Sequence, residues 1–239
     1  MVRNESAKQG HSMQPHDYWQ TIHPPGSFDP ASPHQDSYPA SLPDGGQMLL
    51  PIRSLADGRH GIASLIINQA SFEVLDALAA SLAEKLSPFR PDIIVGLPTL
   101  GLTLASAVAQ KLGHTRYVPF GTSRKFWYLD ELSVPMSSIT TPHQQKRLFA
   151  DPRMLPLLKG RRVVLVDDVM SSGASMVAGL NLLAALDIEP VALAVAMLQT
   201  ERWRSVLSAC GEGWPEKTRS VFATPLLERN AEGFWKATA

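Results

Sequence analysis

Two adjacent carboxylates followed by small hydroxyl residues form the most chemically loaded stretch of this chain: Asp167-Asp168-Val169-Met170-Ser171-Ser172-Gly173-Ala174-Ser175. The apolar run Val163–Val166 leads into it, and a helix-like apolar stretch follows. That order reads as a buried strand, an acidic pair at its C-terminal end, and a turn that opens a helix. Free backbone N–H groups and the positive end of a helix dipole receive a phosphate dianion. The carboxylates repel that phosphate, so they suit vicinal hydroxyls or a hydrated Mg²⁺ instead. A ligand with a phosphate at one end and a diol a few ångströms away is a ribose 5-phosphate.

Other elements must hold that loop in place. Ser64–Asn68 reads as a short strand, and Ala70–Leu86 carries Phe72, Leu75, Leu78, Ala79, Leu82 and Leu86 at helical spacing. Asp92–Leu97 reads as a buried strand, Leu102–Leu112 as a helix, and Tyr117–Phe120 as the start of another strand. Gly121–Pro142 is a long polar excursion, followed by a short strand near Arg147–Phe149. After the Asp167 strand come a helix to about Leu186 and the strand Pro190–Leu198. Strands and helices in alternation, with near-continuous apolar strands, predict an α/β fold with a parallel sheet covered on both faces. Ligands of such sheets gather outside the C-terminal strand ends. Pro98–Gly101, the excursion and Asp167–Ser175 are the loops that qualify.

The Asp167–Ser175 stretch resembles the 5-phosphoribosyl-1-pyrophosphate (PRPP) binding motif of the type I phosphoribosyltransferases: an apolar strand, two acids, two apolar residues and a hydroxyl-glycine-x-hydroxyl loop. Pro98-Thr99-Leu100-Gly101 is similar to the family's pyrophosphate loop, in which a cis peptide is common and would fall here around Thr99-Leu100. The excursion opens Ser123-Arg124-Lys125-Phe126-Trp127-Tyr128-Leu129-Asp130-Glu131 and ends Ser137-Ser138-Ile139-Thr140-Thr141-Pro142, strings similar to those of an adenine phosphoribosyltransferase-like subgroup. In position it resembles the family's flexible catalytic loop, which implies that Arg124 and Lys125 face pyrophosphate. The aromatic trio Phe126-Trp127-Tyr128 suits packing best, with a dimer contact or base stacking as alternatives.

The resemblance implies a Rossmann-like core with a small hood from the terminal segments. It implies Mg²⁺ as cofactor, held by Asp167 and Asp168 directly or through water, and PRPP and a nucleobase as substrates. Glu201, Arg202 and Trp203 are candidates for base binding. Ser171 stands where enzymes of 6-oxopurines carry an aspartate base, which turns the expectation toward adenine, with Asp130 or Glu131 as acid/base; an orotate-type acceptor stays open. The alternatives are a non-catalytic PRPP-binding regulatory protein and transfer to an acceptor that is not a nucleobase.

Composition sets the outer bounds. Lys+Arg and Asp+Glu each number 22, so zero net charge gives no sign of a nucleic-acid or membrane partner. A single cysteine, Cys210, excludes an intrachain disulfide and fits a cytoplasmic protein. Residues 1–42, with His11, His16, His23 and His34 among many Pro and Ser, read as a flexible polar tail, and 43–239 as one domain. Relatives of this kind are commonly dimers, so a homodimer is expected.

Overall fold

The computed structural model describes residues 13–136 and 146–238. In chain order the strands and helices are β1 (Ser37–Ser41), β2 (Gln47–Ser54), β3 (His60–Ala63), α1 (Phe72–Leu86), β4 (Ile93–Gly96), α2 (Gly101–Lys111) and β5 (Val118–Pro119). They continue with β6 (Ser133–Met136), β7 (Lys146–Phe149), β8 (Val163–Met170), α3 (Ala174–Ala185), β9 (Ala192–Gln199), α4 (Arg202–Cys210), α5 (Trp214–Lys217), β10 (Thr218–Thr224), β11 (Leu226–Arg229) and β12 (Trp235–Ala237).

The central sheet runs β10-β9-β8-β4-β5, every pairing parallel. Its middle strands are apolar and buried on both faces, as the continuous Val/Ile/Leu/Ala runs require. Along β8, Val164 and Val166 join one core with α1 and α2, while Val163 and Leu165 join a second with α3. That alternation is the two-residue period of a strand, used to build two layers at once. Ser71 caps α1, its hydroxyl accepting the Val74 N–H at 3.2 Å. From β4 the chain first moves outward to β5; β8 then falls on the other side of β4, and β9 and β10 continue outward from it. The order therefore reverses between β4 and β8, where an open α/β sheet forms its ligand crevice.

A second sheet, β1-β2-β3-β11-β12, is antiparallel and draws on both ends of the chain. It is the hood the family resemblance implied. The proposed tail reaches into it. Tyr18 and Trp19 are buried, His34 is buried and bridges to Trp235, and β1 pairs with β2. Residues 13–42 are thus corrected from tail to packed structure, because two aromatic anchors and a five-residue strand outweigh the polar composition around them. Residues 1–12 lie outside the described part.

Other boundaries shift. The strand expected over Ser64–Asn68 ends instead at Ala63. Leu65 and Ile67 are buried in a turn that closes with a 3₁₀ segment, Ile67–Gln69. Phe72 sits at the first position of α1 and is 89 % exposed, so it does not belong to the apolar face its spacing suggested. The excursion contains a 3₁₀ turn, Asp130–Leu132, and the strand β6, which pairs antiparallel with β7. Ser137–Pro142 falls outside the described residues.

Candidate active site

Strand β8 carries Asp167 and Asp168 and continues through Val169 to Met170 before the chain turns. Ser171, Ser172 and Gly173 make that turn, and α3 begins at Ala174. Gly173 has φ +82°, a left-handed conformation that costs other L-residues roughly 1 kcal/mol. The Ser172 hydroxyl accepts the Ala174 N–H at 3.4 Å. Asp167, Val169, Met170, the serines and glycine of the turn, and the start of α3 line one cavity of about 140 Å³. A phosphate-sized anion fits the volume, and the first turn of α3 supplies donors.

The carboxylates are held under electrostatic tension. Burial, then the neighbouring Asp168 charge, push the Asp167 carboxyl well above the usual range. Burial also raises Asp168, although its hydrogen bond with Asp167 opposes the rise. The two titrate as a pair. The Asp168 N–H donates to Asp167 Oδ1 at 3.0 Å, which fixes the rotamer of the more buried member. Among the described residues neither carboxylate has a cationic partner. A divalent cation would relieve that repulsion. No group of three or more acid, histidine or cysteine ligands exists among the described residues, so such an ion would complete its shell with water and substrate oxygens, as Mg²⁺ prefers. The donor set fits.

Opposite β8, the Pro98–Gly101 loop leaves β4. Its cis peptide is Pro98-Thr99, one bond earlier than expected. Gly101 opens α2 directly against the acidic pair. A Cβ built there would lie 2.6 Å from Asp167 Oδ1 and 2.8 Å from Asp167 Cα. Only glycine admits so close a crossing of helix and strand at the switch point.

The remaining candidates are placed differently. Arg124 pairs with Asp130 at 3.3 Å, so the expected pyrophosphate cation and the expected acid/base carboxylate face each other, both exposed. Lys125 and Glu131 are exposed beside them. Phe126 is 97 % exposed, whereas Trp127 is pinned, its indole N–H donating to Asp151 and its ring lying under Arg153. Packing therefore holds for Trp127 and Tyr128, which contacts Phe149, and fails for Phe126. Trp203 is 2 % exposed, with its indole N–H on the Thr200 carbonyl and its backbone against Gly173; it supports the turn that opens α3 and offers no face to a base. Glu201 is paired with Arg204 at 3.0 Å, and Arg202 is exposed. The sequence reading missed Gln199, a buried carboxamide at the end of β9 that donates to the hood at Ala63 O. Its signal was a polar residue closing an apolar strand.

An orotate phosphoribosyltransferase of Halorhodospira halophila is 32 % identical over 57 % of this chain and 55 % of its own length. An adenine phosphoribosyltransferase of Rhodospirillum centenum is 27 % identical over 54 % of this chain and 71 % of its own. The chain thus spans little more than half of the orotate relative. The adenine phosphoribosyltransferase of Giardia lamblia, solved with 9-deazaadenine, superposes with TM-score 0.53 at 18 % identity, covering 64 % of this chain and 80 % of that one, a likeness of fold. Among the described residues no helix is long and apolar enough to cross a membrane. The phosphoribosyl transferase domain model matches residues 62–217, from the last hood strand before α1 to the end of α5 and across both loops at the switch point, and the chain belongs to that family.

Proposed function

We propose that the protein transfers the 5-phosphoribosyl group of PRPP to a nucleobase, a purine with adenine favoured, releasing pyrophosphate. The observation that carries this reading is the single cavity shared by Asp167 and the Ser171–Ser175 turn, with Gly101 closing on the carboxylate from the other loop. Backbone amides of Ser171–Ser175 and the hydroxyls of Ser172 and Ser175 hold the 5-phosphate. Asp167 and Asp168 hold the ribose diol, directly or through a bound ion, and their charge stabilises the cationic character that develops at the anomeric carbon. Pro98–Gly101 binds pyrophosphate, with Arg124 and Lys125 added once Arg124 leaves Asp130. A base nitrogen lone pair forms the new bond to the anomeric carbon as the bond to pyrophosphate breaks, its electron pair leaving on pyrophosphate oxygen. The proton released by the base passes to Asp130 or Glu131. Bound Mg²⁺ supplies charge neutralisation on the departing pyrophosphate.

Zero net charge favours small-molecule partners over nucleic acid or membrane, and assembly as a homodimer belongs to the same reading. The Arg124–Asp130 pair is the observation that favours the alternative, a non-catalytic PRPP-binding regulatory protein, because it occupies the cation a catalyst needs. Incubation with PRPP, Mg²⁺ and a panel of purines and pyrimidines separates the two, with pyrophosphate release and product mass followed. Metal-dependent conversion of one base supports the enzyme. PRPP binding with no base converted supports the regulator.

A further inference from the structure

A larger cavity, of about 580 Å³, lies away from the acidic pair. Its walls are the C-terminal turns of α3, residues 187–190 of the connection to β9, and the stretch from Cys210 to Trp214 between α4 and α5. The acidic pair ends β8, at the C-terminal edge of the parallel sheet, and α3 starts beside it. Helix α3 then runs back for 12 residues, roughly 18 Å, and hands the chain to the start of β9. The cavity therefore sits at the opposite edge of the sheet from the turn that opens α3. Its volume is that of a small-molecule site.

The lining is acidic and carries no cation: Asp187, Glu189 and Glu212 all contribute to it. Two helices, α3 and α4, also end at its wall, where the helix dipole is negative, and neither has a basic residue in its last turn. Glu189 pairs with Lys217 at 3.0 Å, whereas Asp187 and Glu212 have no cationic partner among the described residues. The rest of the lining is apolar, with Leu180 and Ile188 buried and Trp214 half-buried.

Lys217 shows which kind of cation this surface takes. Its ammonium lies 4.9 Å from the centre of the Trp214 ring while it bonds Glu189, so a carboxylate and an indole face together hold an alkylammonium. A single metal ion matches the cavity less well. Among the described residues no three acid, histidine or cysteine side chains are grouped to hold one. Carboxylates that share a cavity without converging on a point suit a cation whose charges are spaced along an apolar chain, with its methylenes over Leu180 and Ile188.

We propose that this cavity is a second ligand site, for a linear aliphatic polyamine, with Asp187 and Glu212 taking its ammonium groups and Trp214 facing its chain. The site is independent of the phosphoribosyl-transfer reading. Calorimetric titration of the full chain with spermidine, at low ionic strength, should show binding. Asp187→Asn combined with Glu212→Gln should weaken that binding about tenfold, for two ion pairs lost. Both side chains are exposed, so the double variant keeps the fold, and a melting curve verifies it. Asp167→Asn should leave spermidine affinity unchanged, which separates this cavity from the acidic pair. Cys210 gives the location a second readout, because it is exposed, lines the cavity and is the one cysteine in the sequence. Saturating spermidine should slow its alkylation by iodoacetamide several-fold, and sodium chloride of matched ionic strength should not. Wild-type protein that does not bind spermidine overturns the proposal. So does a folded double variant that binds as well as wild type, an equal loss in Asp167→Asn, or Cys210 alkylation that spermidine leaves unchanged.

Discussion

Gly101 and Asp167 meet with no space between them: a methyl group on Gly101 would overlap the Asp167 carboxylate at 2.6 Å and its Cα at 2.8 Å. The first residue of α2 and the first acid of β8 are therefore one structural unit, and the Pro98–Gly101 loop cannot shift without the Asp167 carboxylate. Gly101→Ala should destabilise the fold by about 1–3 kcal/mol, the range for overpacking a tight contact. It should also lower kcat/KM at least ~tenfold if the carboxylate swings by a few tenths of an ångström. Thermal unfolding and steady-state kinetics on one preparation check both.

Asp167 is a stability cost in the folded chain. Its folded-state carboxyl is raised, so the folded chain holds a proton the unfolded chain has released, and stability falls as pH rises above the unfolded value of about 3.9. Asp167→Asn removes that cost and keeps an acceptor for the Asp168 N–H. In chelator-treated, ligand-free protein it should raise stability by about 0.5–2 kcal/mol at neutral pH while abolishing PRPP binding. The gap from wild type should shrink toward pH 4. A variant less stable than wild type at pH 7 would show that the pair is structural.

Asp151 behaves in the opposite way. Arg153 and the Trp127 indole hydrogen-bond its carboxylate and hold it down to about 2. A depressed carboxyl contributes stability that is complete above the unfolded value of about 3.9 and lost as pH falls through about 2. Asp151→Asn should flatten that acid limb and loosen the start of the excursion. Trp127 fluorescence during acid titration reads the loosening directly.

Gly173→Ala keeps the volume of the Ser171–Gly173 turn, because no atom lies nearer than 3.6 Å to a Cβ there, but it meets φ +82°. The cost should be about 1 kcal/mol of stability. Phosphate affinity should fall with it, since the turn that aims the amides of α3 relaxes. Competition of inorganic phosphate with PRPP measures this.

The exposed loop cations should matter to chemistry and not to folding. Arg124→Ala with Lys125→Ala removes two solvent-facing side chains, one in an exposed ion pair that contributes ~1 kcal/mol or less. Melting temperature should change little, and turnover should fall about a hundredfold for the loss of transition-state charge stabilisation. Equal turnover would leave pyrophosphate to the Pro98–Gly101 loop alone.

What was legible from residues alone follows from local physics. The apolar strand, the Asp167-Asp168 pair and the Ser-Ser-Gly-Ala-Ser turn declare themselves by composition and order, and the two-sided burial of β4, β8 and β9 follows from their unbroken apolar runs. The family resemblance and the hood it implies rest on the same residues. Long-range pairing is what the sequence could not display. β3 finds β11 across about two thirds of the chain, and Trp19 finds Ser64 through one indole N–H. Nothing in the Ser/Pro/His-rich stretch before residue 42 distinguishes a buried Trp19 from an exposed one, nor a buried Trp203 from a base-stacking one. Those outcomes are decided by whichever partner surface the completed sheets present, because burial is a property of the contact and not of the residue. The same holds for Gly101, whose role exists only once α2 and β8 are brought together.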